Sequence, residues 1–112
     1  MSKTLSVAVM VSDGRKSARW FVEKLGFETE GEEHWITVWQ KGADWKLHLC
    51  EGELEPGNTG ISFYMDDVAK EAAELEKKGV KFSRKVTKKE WGTSAMIEDP
   101  DGNQFYLQES GP

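Results

Sequence analysis

An α+β fold of two tandem βαβββ modules is predicted for this chain of 112 residues by three observations. Two amphipathic helical patterns each follow an alternating apolar strand and an acidic capping residue. Each helical pattern stops near a glycine and leads into three further strand patterns. Between the two series lies "ELEPGNTG", rich in Pro and Gly, which punctuates the chain as a linker.

The first strand is expected over Leu5 to Val11, where Val7, Val9 and Val11 take one face and Ser6, Ala8 and Met10 the other. Asp13 then caps a helix over Arg15 to Leu25, in which Ala18, Phe21, Val22 and Leu25 recur at helical spacing before Gly26. Three strands follow at Phe27 to Gly31, His34 to Gln40 and Trp45 to Glu51. With the linker at Glu53 to Thr59, module one spans residues 5–52 and module two residues 60–109 of a single domain. In module two, "GISFYMDDVAKEAAELEKKGVKF" can be laid on "SVAVMVSDGRKSARWFVEKLGF", with Asp67 on Asp13 and Gly79 near Gly26. The separation from Asp to Gly is 13 residues in the first copy and 12 in the second, so the repeat rests on pattern and spacing. Lys81 to Thr87, Thr93 to Ile97 and Gln104 to Gln108 complete the second set of strands. "EDPDGNQ" supplies turn residues between the last two.

Composition excludes several classes of function. No apolar run approaches the roughly 18 residues of a membrane span, and the N-terminus shows no export signal. A single cysteine, Cys50, cannot form an internal disulfide and fits a reducing cytoplasm. The net charge of −5 repels phosphate backbones, which argues against nucleic acid, and mildly attracts cations.

"VMVSDGRKSARWFVEKLGF" and "EDPDGNQFYL" resemble the entry and closing segments of the vicinal oxygen chelate superfamily, which contains glyoxalase I, extradiol dioxygenases, and fosfomycin and bleomycin resistance proteins. The resemblance covers Leu5 to Glu109. It implies sheets that curl around a cleft with helices on the outer face. Alternation then assigns Val7, Val9, Val11, Ile36, Val38, Leu47, Leu49, Ile61, Phe63, Met65, Phe105 and Leu107 to the helix side. The cleft side receives Ser6, Ala8, Met10, Trp35, Thr37, Trp39, Lys46, His48, Cys50, Gly60, Ser62, Tyr64, Gln104, Tyr106 and Gln108. On this assignment the cleft carries one Lys and no acid.

In its metal-dependent enzymes the family supplies four metal ligands, and the resemblance places those positions at Ser6, His48, Gly60 and Tyr106. Glycine offers no side chain, and serine and neutral tyrosine are poor ligands, so no metal or other cofactor is expected. Other catalytic groupings are equally weak. Cys50 shares a strand face with His48, but their roots are about 6 to 7 Å apart, so a direct hydrogen bond is not assured. Glu98 and Asp99 are adjacent strand residues and point to opposite faces. Asp13 and Asp67 are helix caps.

Five Trp in 112 residues point to ring packing or ring recognition. Trp20 is expected in packing or a subunit contact, and Trp91 in a polar loop, "KKEWGTS". The branch most similar in size, acidity and missing metal set is that of the bleomycin resistance proteins, which act as dimers and capture a flat cationic antibiotic. The resemblance therefore implies a homodimer that sequesters an aromatic or cationic small molecule without turnover. Trp35, Trp39, Tyr64 and Tyr106 would stack on it, and His48, Ser62, Gln104 and Gln108 would orient its polar groups. The alternatives are a metal-dependent isomerase or lyase using His48, and a scaffold that acts through protein contacts.

Overall fold

The computed structural model describes residues 7–32, 35–90 and 92–109. Its elements run β1 (Val7–Val11), α1 (Gly14–Leu25), β2 (Glu28–Glu32), β3 (Trp35–Trp39), β4 (Leu47–Glu51), β5 (Gly57–Met65), α2 (Val68–Lys77), β6 (Lys81–Lys89), β7 (Gly92–Glu98) and β8 (Asn103–Glu109). The chain forms two compact units, Met1–Glu55 and Pro56–Pro112, each a βαβββ module. Strand order is β1-β4-β3-β2 in the first sheet and β5-β8-β7-β6 in the second. In each, the first and last strands of the module pair in parallel and the other pairs are antiparallel. The α+β class and its repeat are those expected from the sequence.

Local chemistry explains why the helices begin and end where they do. Asp13 Oδ1 accepts from the backbone N–H groups of Arg15 and Lys16 at 3.1 Å, and Asp67 Oδ1 from that of Lys70 at 3.0 Å. A second carboxylate reaches each helix N-terminus from the end of the module's last strand. Glu51 Oε2 accepts from Gly14 N at 2.7 Å, and Glu109 Oε1 from Val68 N at 3.3 Å. Acids placed there satisfy free amides and oppose the positive end of the helix dipole. This shared device strengthens the reading of an internal repeat. Beyond α2 the chain reverses through Gly79 N to Glu76 O and Val80 N to Leu75 O, both at 3.0 Å, the paired bonds of a Schellman turn.

Each helix packs on one face of its own sheet. In module one, Ala18 and Phe21 of α1 join Val9, Val11, Ile36, Val38, Leu47 and Leu49, all buried. Phe21 also stacks on Phe27 with ring centroids 5.4 Å apart, and Trp20 meets Phe21 edge-on at 5.0 Å. Trp20 is thus engaged in packing. In module two, Val68, Ala72 and Leu75 join Phe63, Ala95, Ile97, Phe105 and Leu107, with Phe63 and Phe105 stacked at 5.2 Å. Burying one such side chain contributes roughly 1.5 to 3 kcal/mol. Of the expected core set, Val7 lies exposed at the start of β1, and Ile61 and Met65 are half-buried.

Two local expectations are corrected. The stretch taken as a linker ends early, because β5 starts at Gly57, whose N–H donates to Gly102 O at 2.9 Å. Gly57 and Asn58 then pair with Asn103 and Gln104 of β8, and the register shifts before Ser62 meets Tyr106. The closing turn therefore recruits residues whose composition reads as loop. Most of "KKEWGTS", expected as a loop, instead belongs to β6 and β7, with Lys88 opposite Thr93 and Lys89 opposite Gly92. Leu5, Ser6, His34 and Trp91 lie outside the described residues.

The closing turn itself is built around a buried carboxylate. Asp99 Oδ1 accepts from Asp101 N at 3.0 Å and Asn103 N at 2.8 Å, while Oδ2 accepts from Asn103 Nδ2 at 3.0 Å. Asp99 and Asn103 are both buried. Asp99 is therefore a structural residue of the turn and does not form a carboxylate pair with Glu98.

Candidate functional site

The face of each sheet away from its helix carries the side chains singled out in the sequence. In module one, β3 presents Trp35, Thr37 and Trp39, and His48 of β4 stands opposite Thr37 and Ala8. Trp35 is 64% exposed, and its ring lies 4.0 Å from that of His48 at an interplanar angle of 35°. Trp39 is held differently. Its indole N–H donates to Glu28 Oε1 at 2.9 Å, and Lys46 Nζ sits 4.5 Å from its ring centroid, at cation–π distance. Trp39 is thus half-buried in contacts of its own module, whereas Trp35 offers an open ring face.

Strand pairing corrects the expectation that this face lacks acids. Glu28, Glu30 and Glu32 of β2 stand opposite Trp39, Thr37 and Trp35 in register. Cross-strand partners in an antiparallel pair share a face, so three carboxylates line the aromatic strand. Lys46 Nζ approaches one of them, Glu30, at 3.9 Å, and both side chains are largely exposed. The alternation of Glu in "ETEGE" was a visible signal that the three share one face. Which face they share depends on the register with β3.

In module two the same side of the sheet gathers Ser62 and Tyr64 from β5 with Gln104, Tyr106 and Gln108 from β8. Gln108 Nε2 donates to Ser62 Oγ at 3.0 Å. Asn58 Nδ2 donates to Tyr106 Oη at 2.7 Å. Gln104 Nε2 approaches Glu98 Oε1 at 3.4 Å, and the other oxygen of Glu98 meets Lys81 Nζ at 2.8 Å. The Lys81 ammonium, helped by Gln104, holds the Glu98 carboxyl below its ordinary range. Tyr64 is 56% exposed. The register adds two side chains that the sequence reading omitted, Arg84 opposite Met96 and Thr87 opposite Ser94. Glu98 lies on this face as well, opposite Gln104.

This architecture has counterparts among known proteins. The family model of the Glyoxalase/Bleomycin resistance protein/Dioxygenase superfamily matches residues 3–107. The chain belongs to that superfamily. A Bacillus subtilis (strain 168) relative, the uncharacterized protein YetH, is 31% identical over 114 residues, covering 93% of this chain and 95% of the relative. A superfamily member from Sphaerobacter thermophilus DSM 20745 superposes with a TM-score of 0.87 at 29% identity, covering 98% of both chains. TnmS3, an antibiotic binding protein from Streptomyces sp. CB03234, superposes with a TM-score of 0.85 at 32% identity, covering 99% of this chain and 98% of its own.

The four positions that the resemblance assigns to a metal do not carry a full set of metal donors. Of the four positions, Ser6 is outside the described residues and Gly60 has no side chain. His48 stacks with Trp35, and the Tyr106 hydroxyl accepts from Asn58. One imidazole with a tyrosine and a serine is not a divalent-metal site. Among the described residues, no three His, Cys, Asp or Glu side chains are grouped to hold an ion. Nor is any described helix long and apolar enough to cross a membrane.

Proposed function

We propose that this protein binds and sequesters a flat aromatic, cationic small molecule, such as a bleomycin-type antibiotic, without metal-dependent turnover. The observation that carries the reading is the open ring of Trp35 on His48, alongside the in-register row Glu28, Glu30 and Glu32. An indole face attracts flat rings and cations, and the carboxylates add charge of the matching sign. The net charge of −5 supplies a weak long-range pull in the same direction. Trp39, already engaged by Glu28 and Lys46, serves as a wall beside the ring that stacks. Module two carries ring surface of its own in Tyr64 and Tyr106, with Ser62, Gln104 and Gln108 on the same face able to meet polar groups of a ligand. The similarity to the antibiotic binding protein TnmS3 favours capture over catalysis. The free thiol of Cys50 fits a cytoplasmic location.

Calorimetric titration with a panel of aromatic cations tests this reading. Trp35→Ala is expected to weaken binding by roughly tenfold to a hundredfold, the loss of about 1 to 3 kcal/mol of stacking and burial. Trp39→Ala should cost less, since its ring already has partners. Unchanged affinity in Trp35→Ala would move the site elsewhere, and no binding by any member of the panel would overturn the proposal.

We infer further that the protein is a homodimer, since each sheet leaves a face uncovered by its helix and closed twofold pairing is the commonest form of soluble oligomer. Sedimentation at micromolar concentration should show a species of twice 12.7 kDa. A single-chain species alone would refute it, because stable interfaces persist at that concentration.

A further inference from the structure

Module two carries a depression of about 510 Å³ on the face opposite α2, whose lining includes Arg84, Thr87, Lys89, Ser94, Tyr106 and Gln108. This volume lies within the roughly 300 to 1,000 Å³ typical of small-molecule sites. The chemistry of its lining differs from that of module one. Strand β6 holds Lys81, Arg84, Lys85, Lys88 and Lys89 and no acid. Lys81 is paired with Glu98 at 2.8 Å, and Lys85 with Glu76 at 3.5 Å. Arg84 is half-buried, and its Nη2 donates to Ser94 Oγ at 3.0 Å. Among the described residues, no carboxylate lies within ion-pair distance of its guanidinium. Glu109, which also borders the depression, directs Oε1 to Val68 N at the start of α2.

A partly desolvated guanidinium that keeps most of its five donors uncommitted favours an anionic acceptor, and its planar fork matches a carboxylate in two parallel hydrogen bonds. Its neighbours add to this preference. The Tyr106 hydroxyl accepts from Asn58 and so keeps its own proton to donate, and the Ser94 hydroxyl, accepting from Arg84, does the same. We propose that this depression takes a carboxylate borne on an aromatic ligand, with Arg84 as its anchor and the Tyr106 ring as a wall. The inference rests on the reading that the protein captures aromatic small molecules, and it adds an acidic group to the chemistry of what is captured.

The test is a calorimetric comparison of anthraquinone-2-carboxylate with its methyl ester, using an aromatic cation as a third probe. The wild type should bind the acid about tenfold or more tightly than the ester, as expected for hydrogen bonds to a charged acceptor. Arg84→Gln should abolish that preference, and Arg84→Lys should keep only part of it, since an ammonium lacks the fork. Cation binding, carried by Trp35 of module one, should persist in all three proteins. Should Arg84→Gln fail to fold, Arg84→Lys and Ser94→Ala carry the test through a reduced acid-to-ester ratio. Equal binding of acid and ester by the wild type, or a preference that survives in every variant, would overturn the anchor. Binding of the cation with neither acid nor ester would overturn the anchor alone, and binding of none of the three would overturn the capture reading along with it.

Discussion

Asp99→Ala should destabilise the protein by about 3 kcal/mol, since it removes one acceptor group from three donors at once. Asp99 is 4% exposed and Asn103 3% exposed. With the carboxylate gone, its hydrogen bonds to the N–H groups of Asp101 and Asn103 and to the side-chain amide of Asn103 are lost. Water reaches such donors poorly, so most of the desolvation cost remains. Asp99→Asn should be much milder, because it keeps Oδ1 for the two backbone donors and Asn103 can present its amide oxygen in place of its nitrogen. Chemical denaturation of both variants measures the difference. Equal losses would show that the turn does not depend on these bonds.

The same residue carries a pH dependence whose sign follows from its burial. Burial pushes the Asp99 carboxyl above its ordinary value of 3.8, against the opposing pull of the Asn103 and Asp101 donors. Between 3.8 and the raised value, the folded state binds more protons at this position than the unfolded state. Asp99 therefore contributes stability that is fully present below 3.8 and is lost as pH rises through the folded value. Relative to Asp99→Asn, the wild type should gain stability as pH falls through that window. A wild-type profile parallel to that of the variant would contradict the assignment.

Gly31→Ala should cost at least about 3 kcal/mol, lowering the melting temperature by on the order of 10 °C, and should also weaken ligand capture. Gly31 stands opposite Ile36 in the β2–β3 pair with φ at +107°. A Cβ there would lie 1.9 Å from the carbonyl oxygen of Trp35 and 3.1 Å from Cα of Ile36, both backbone atoms. Neither can swing aside as a side chain would, so the strands must part. The displaced residue is Trp35, the open ring of module one. Gly42→Ala separates the two contributions, because Gly42 has φ of +84° but its added Cβ meets nothing within 4 Å. That variant should show only the dihedral cost of about 1 kcal/mol or slightly more. If Gly31→Ala melts no lower than Gly42→Ala, the close approach to Trp35 is not a feature of the folded molecule.

The repeat, the two helices with their Asp13 and Asp67 caps, and most strand positions were legible in the chain, because these depend on spacing and capping within about 15 residues. The helix-facing residues followed from the same local alternation, which holds along any one strand whatever lies beside it. Which strands became neighbours was settled only by folding. Pairing of β2 with β3 set Glu28, Glu30 and Glu32 beside the two tryptophans, and pairing of β6 with β7 brought Arg84 to the face shared by Tyr106. It also drew Gly57 and Asn58, loop-like in composition, into β5 through bonds to the closing turn. A one-residue change of register reverses every side chain of a strand, and register is set by hydrogen bonds between segments that alternation within either one does not encode. For that reason the apolar core and the aromatic residues were legible in the chain, while the charges around them were not.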